Sequence, residues 1–144
     1  MHRIQKSAIM PYTIEQMFQL VNDIEKYPEF LPWCQTATVL ARDDKQIKAT
    51  LVLAKGGLEK SFTTINSLDT PKQMIMELVD GPFKHLKGIW DFCAIGEKEC
   101  QVELDLEFQF SSKMIALVFG PFFQQAASKL VDSFVKRADD VYGG

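Results

Sequence analysis

Gln101-Val102-Glu103-Leu104-Asp105-Leu106-Glu107-Phe108-Gln109-Phe110 decides the architecture of this chain. Apolar and polar residues take turns without a lapse, so an extended backbone puts Val102, Leu104, Leu106, Phe108 and Phe110 on one face and the polar residues on the other. One wet face is the mark of an antiparallel sheet, because parallel sheets are covered on both sides. The dry face still needs something to lie on it.

Downstream, Ser111 or Ser112 is placed to cap a long C-terminal helix, which Gly120-Pro121 should kink. Its apolar stripe is Phe122, Phe123, Ala126, Ala127, Leu130, Phe134, Ala138 and Val141, with Gln124, Lys129, Asp132, Lys136, Arg137 and Asp139 on the other side. About 30 helical residues span roughly 45 Å, and no other segment is long enough to cover a sheet. Upstream, the two-residue period recurs. Leu86, Gly88, Trp90, Phe92 and Ala94 share a face, and Gly96 to Glu99 form a polar turn. Lys72 to Val79 precedes Asp80-Gly81-Pro82, Leu58 to Ser67 precedes Thr70-Pro71, and Gly56-Gly57 marks a hairpin after Ile47 to Leu53. Thr36 to Arg42 is a further strand, closed by Asp43-Asp44-Lys45. Arg3 to Met10 reads as the first strand, and Pro11-Tyr12-Thr13 ends it. Thr13 with Gln16 matches a capping box for a helix over Ile14 to Asn22, buried through Ile14, Met17, Phe18 and Val21. Asp23 is placed to cap a second short helix that Pro28 should stop near Tyr27.

The reading is an α+β fold of one domain, residues 1–144. A seven-stranded curved antiparallel sheet wraps a long C-terminal helix, and two short helices follow the first strand. A bent sheet does not close perfectly on a helix, and the gap is a natural apolar cavity. A solid core of the same residues is the alternative.

Composition narrows the function. The formal charge of −3 argues against generic DNA binding, which needs clustered Lys and Arg. Neither a signal peptide nor a run of ~18 apolar residues is seen, so a cytoplasmic location is expected. Cys34, Cys93 and Cys100 read as reduced thiols. Of the residues that could do chemistry, His2 lies at the terminus and His85 between Lys84 and Lys87. Neither the histidines nor the cysteines have metal-ligand spacing, and no phosphate-binding glycine loop is present. Glu103, Asp105 and Glu107 fall on the wet face. No catalytic residue, no metal and no catalytic cofactor are therefore expected.

Binding is better supplied. The chain has 11 phenylalanines, which add bulk without a hydrogen-bonding group. Tyr27-Pro28-Glu29-Phe30-Leu31-Pro32-Trp33-Cys34 is a stiff apolar loop, where loops are normally polar. It reads as a lid, a membrane-touching tip or a packed turn. The candidate cavity or mouth residues are Phe30, Leu31, Trp33, Phe83, Leu86, Trp90, Phe92, Leu106, Phe108, Phe110, Leu117, Phe122, Phe123 and Leu130. Lys84, His85 and Ser112 are candidates for contacting a ligand's polar head. Lys84-His85-Leu86-Lys87 is alternatively a small basic patch for ribosomal RNA, or simply solvated.

Four stretches carry a family resemblance: Val21 to Cys34, Asp80 to Leu86, Gly88 to Phe92 and Leu130 to Ala138. With the element order, they resemble the START-like (helix-grip, Bet v 1-like) superfamily, and within it the coenzyme-Q-binding and ribosome-association-toxin family, formerly labelled oligoketide cyclase or lipid transport proteins. The resemblance implies a helix-grip fold and two activities. One is binding of ubiquinone or a similar lipid in the cavity, in support of respiratory electron transport, which implies peripheral contact with the inner membrane. The other is a toxin's binding to the large ribosomal subunit, which blocks its joining with the small one. A polyketide cyclase-like enzyme is a third reading, for which the residues offer no evident base.

Overall fold

In the computed structural model, which describes residues 1–143, seven strands form one sheet. They are β1 (His2–Met10), β2 (Cys34–Arg42), β3 (Gln46–Lys55), β4 (Leu58–Asp69), β5 (Gln73–Asp80), β6 (Phe83–Gly96) and β7 (Glu99–Phe110). Their spatial order is β1-β7-β6-β5-β4-β3-β2, and each neighbouring pair is antiparallel. The helices are α1 (Ile14–Asn22), α2 (Lys113–Val118), α3 (Gly120–Ser128) and α4 (Leu130–Tyr142), with a 3-10 segment at Ile24–Glu29. The sheet grips the C-terminal helices, and α1 with the 3-10 segment crosses from one edge strand, β1, to the other, β2. The domain expectation of residues 1–144 runs one residue past the described part, since Gly144 lies outside it.

Local sequence explains most elements. In β7 all five alternating apolar residues are at most 5% exposed. The Thr13 hydroxyl accepts from the Gln16 N–H at 3.1 Å, and the Thr13 N–H donates to the Gln16 side chain at 2.9 Å, completing the capping box. Ser112, rather than Ser111, caps α2 by accepting from the Ile115 N–H at 3.1 Å. Gly56 and Gly57 have φ of 57° and 86°, the left-handed pair that a two-residue hairpin between β3 and β4 requires.

Four expectations are corrected. The C-terminal helix breaks not only before Gly120-Pro121 but again at Lys129. There the Lys129 N–H turns back to the Ala126 carbonyl at 3.3 Å, a tighter turn than the α-helical ladder, and the Ser128 and Ser133 hydroxyls donate to the Gln125 and Lys129 carbonyls, each at 3.0 Å. The second short helix is 3-10, it contains Pro28, and it runs to Glu29. Asp23 does not cap it through its side chain; it ends instead where the Phe30 and Leu31 N–H groups both turn back to the Tyr27 carbonyl. Ala94 is exposed, because β6 has run past its helical cover by Cys93. Val141 is 48% exposed, since α4 there has passed beyond the sheet-facing stripe.

Phenylalanine fills one end of the interior. The rings of Phe83, Phe108, Phe110, Phe119 and Phe123 interlock with centroid separations of 4.9 to 6.3 Å. At the other end Phe134 meets Trp90, Phe30 and Tyr27 edge-on at 5.3, 5.2 and 5.5 Å. The space between these two aromatic groups is where the packing is incomplete.

Candidate functional site

A cavity of about 80 Å³ lies between the sheet and the C-terminal helices. Its floor is Ala49, Leu51 and Leu53 of β3, Phe62, Thr64 and Asn66 of β4, Met76 of β5, Leu86 and Trp90 of β6, and Leu106 of β7. Phe123, Ala126 and Ala127 of α3 and Leu130 and Phe134 of α4 roof it. Ile24, Tyr27, Leu31 and Trp33 close its side. Gly88 gives the floor part of its room: a Cβ there would fall 2.4 Å from the Met76 Cε and 3.2 Å from the Leu106 Cδ1. A second hollow of about 330 Å³ lies outside, lined by Pro32, Trp33, Ala54, Lys55, Phe122, Gln125, Ala126, Lys129 and Ser133. Trp33 and Ala126 line both spaces and so form the partition between them.

Size decides what this closed form can hold. Apolar cavities of about 150 Å³ take up benzene. The inner space is smaller, so a ring with a prenyl chain enters only if the partition moves. The interior is thus neither the solid core nor the open hollow that the sequence left as alternatives.

The side chains singled out from the sequence separate into groups. Leu31, Trp33, Leu86, Trp90, Leu106, Phe123 and Leu130 line the inner cavity, and Phe122 lines the outer hollow. Phe83, Phe108 and Phe110 lie in the phenylalanine plug, and Phe92 packs against Phe18 of α1. Phe30 packs on Phe134 and does not line the cavity. Leu117 is 78% exposed and away from the cavity, a correction to its expected place. The short α2 turns Ile115 and Ala116 toward the core, which carries Leu117 outward with Met114 and Val118. Lys84, His85 and Ser112 also lie outside: Lys84 and Ser112 are exposed, and the His85 Nε2 is 3.6 Å from the Glu107 carboxylate. Lys87 stands opposite Glu107 as well, so the short basic run is interrupted by acid rather than gathered into a patch.

The apolar loop packs over the side of the cavity as its cover and is not an exposed tip. Leu31 is 1% exposed and points into the cavity, while the Cys34 N–H donates to the Leu31 carbonyl at 2.9 Å. The Ala54 N–H donates to the Trp33 carbonyl at 3.0 Å, tying the loop to β3. Arg137 of α4 clamps the loop's other end. It donates to the Glu29 carboxylate at 2.9 Å, and its guanidinium sits 4.9 Å over the Phe30 ring. That hydrogen bond, with help from Lys26, holds the Glu29 carboxyl below its ordinary value of 4.5. A depressed folded-state value means that the clamp is complete above about pH 4.5 and weakens as pH falls through the lowered value. Acidification below pH 4.5 is therefore expected to red-shift tryptophan emission as Trp33 is released, before global unfolding by circular dichroism. In Glu29→Gln this early step should be absent; its persistence would assign it to another group.

Two buried polar residues were missed from the sequence. Thr64 and Asn66 are 7% and 3% exposed and line the cavity floor, where the Thr64 hydroxyl donates to the Asn66 side-chain oxygen at 2.8 Å. The signal was legible: Phe62, Thr64, Asn66 and Leu68 share one face of β4, and Asn is depleted in strands. The Tyr27 hydroxyl also reaches the cavity region but is committed to the Val21 carbonyl, and burial pushes its phenol far up. The three cysteines are unpaired, and burial pushes the Cys34 and Cys100 thiols up to about 11. Among the described residues, none that lines the inner cavity is Asp, Glu, His, Lys, Arg or Cys. Nor does any group of His, Cys, Asp or Glu among them form a metal-binding cluster. The arrangement can bind apolar matter and offer a neutral hydrogen bond; it has no titratable group positioned for proton transfer. No helix of the described residues is long and apolar enough to cross a membrane.

Comparison with known proteins sets this geometry in context. A family described as polyketide cyclase / dehydrase and lipid transport matches residues 10–135. The chain is 47% identical to a protein of Vibrio cholerae named ribosome association toxin RatA, over 99% of both chains. It is 27% identical to a mitochondrial coenzyme Q-binding protein COQ10 homolog B of Xenopus laevis, covering 96% of this chain and 58% of that protein. The solution structure of an 18 kDa protein of Caulobacter crescentus superposes with a TM-score of 0.75 at 30% identity, over the whole of both chains.

Proposed function

The chain belongs to the polyketide cyclase / dehydrase and lipid transport family, and we propose that it is a non-enzymatic, ribosome-associating protein. One observation carries the reading: 47% identity across 99% of both chains to a protein named for ribosome association. The likeness to the coenzyme Q-binding protein is weaker, at 27%. In the toxin reading, the protein docks on the large ribosomal subunit and blocks its joining with the small one. A formal charge of −3 makes that docking a matter of shape and local contacts rather than of general attraction to RNA. The test is a sucrose gradient of lysate from cells expressing the protein. The expected result is fewer joined ribosomes, more free subunits, and the protein running with the large subunit. Unchanged profiles with the protein left at the top of the gradient would reject the proposal.

A second reading concerns the interior and does not compete with the first. The cavity beneath the Trp33 partition takes an apolar small molecule, an isoprenoid quinone or similar lipid being the class that the family suggests. What favours it is the almost wholly carbon lining. Burial is worth roughly 0.8 kcal/mol per carbon before ordering costs. The same lining supports the non-enzymatic reading over a cyclase, which needs a placed base and a group to hold an enolate.

A further inference from the structure

We propose that Thr64 and Asn66 form a polar subsite selecting an uncharged, mostly apolar ligand that carries a carbonyl or hydroxyl oxygen. The inference rests on the cavity reading given above. Asn66 is 3% exposed and sits mid-strand on the floor of an otherwise hydrocarbon space. A carboxamide has both donor and acceptor capacity, and leaving it unmet in a dry interior costs stability. Only one end is met: the Thr64 hydroxyl at 2.8 Å bonds the Asn66 oxygen, and the amide nitrogen donates to no protein group among the described residues. With the Asn66 oxygen accepting from Thr64, the end turned toward the cavity is the NH2 donor, which a ketone or hydroxyl oxygen can meet. A residue kept there only for packing would be Leu or Ile, which fits a strand better.

The unmet donor fixes the ligand's chemistry. It suits a neutral oxygen. A carboxylate or phosphate would need a cation to offset its burial, and among the described residues none lines the inner cavity. Thr64 acts as a positioning residue that holds the Asn66 side chain toward the cavity.

The test compares hexane, 2-hexanone and hexanoate by quenching of intrinsic fluorescence, since both tryptophans of the chain, Trp33 and Trp90, line the cavity. The main variant is the double replacement Thr64→Val with Asn66→Leu. Removing both partners leaves no orphaned group, so the fold is kept. In the wild type 2-hexanone should bind more tightly than hexanoate. In the double variant the dissociation constant for 2-hexanone should rise about tenfold, while that for hexane stays the same or falls. Single Asn66→Leu should give the same loss for the ketone. A ketone affinity within about twofold of wild type in both variants, with hexane still bound, overturns the subsite and leaves the cavity reading standing. Tighter binding of hexanoate than of 2-hexanone overturns it as well. Failure of all three probes to bind the wild type overturns the cavity reading and the subsite with it.

Discussion

Phe134→Ala is expected to destabilise the protein by about 3–5 kcal/mol, the range for deleting a buried aromatic ring. Phe134 is 1% exposed and is the one ring that meets Trp90 of the sheet, Tyr27 of the 3-10 segment and Phe30 of the lid. Its loss leaves space on three sides that no neighbour on a different element can refill, so the cost belongs toward the upper part of that range. For a chain of 144 residues this corresponds to a melting temperature lower by about 10 °C or more. Urea titration should show a lower midpoint with an unchanged slope, the sign of lost stability rather than of an altered unfolded state. The vacated ring also joins the inner cavity, so benzene should raise the melting temperature of the variant more than that of the wild type. A loss under about 1 kcal/mol would mean that the lid and helices repack freely, and that the aromatic hub does not organise the site.

The second large effect concerns access. Ala126 is 5% exposed and lines both the inner cavity and the outer hollow, so Ala126→Phe places a ring across the passage between them. Overpacking of this kind costs about 1–3 kcal/mol, which the fold should survive. Uptake of 2-hexanone or of a longer isoprenoid should fall at least about tenfold, because the partition can no longer give way. Sedimentation with the large ribosomal subunit should be unchanged, since the added ring lies inside the molecule. If sedimentation is lost together with ligand binding, the two activities are coupled through the lid. If ligand binding is unchanged, entry does not pass between Trp33 and Ala126.

These outcomes bear on how the surface and the interior divide the work. The outer face of β1, β7 and β6 pairs its charges locally: Arg3 with Asp105 at 2.7 Å, and His85 facing Glu107 at 3.6 Å. The interior has almost no polar groups, and those it has are neutral.

The order of elements, the antiparallel sheet and the helical cover were all legible in the chain, because they follow from local rules. Residues 101–110 alternate without error, Thr13 and Gln16 make a capping box, and paired glycines make a hairpin. Each of these depends on neighbours a few positions away. The site was legible only in part. Leu31, Trp33, Leu86, Trp90, Leu106, Phe123 and Leu130 reach the cavity, but Phe83, Phe92, Phe108 and Phe110, which are of the same kind and on the same strands, do not. Periodicity tells which face a side chain takes; how far along the face the helices leave a gap depends on where α3 gives way to α4, at Lys129. Leu117 went astray because the short α2 turns Ile115 and Ala116 toward the core in its place. Thr64 and Asn66 were overlooked because a polar residue on an apolar face acquires meaning only when the fold brings empty space to it.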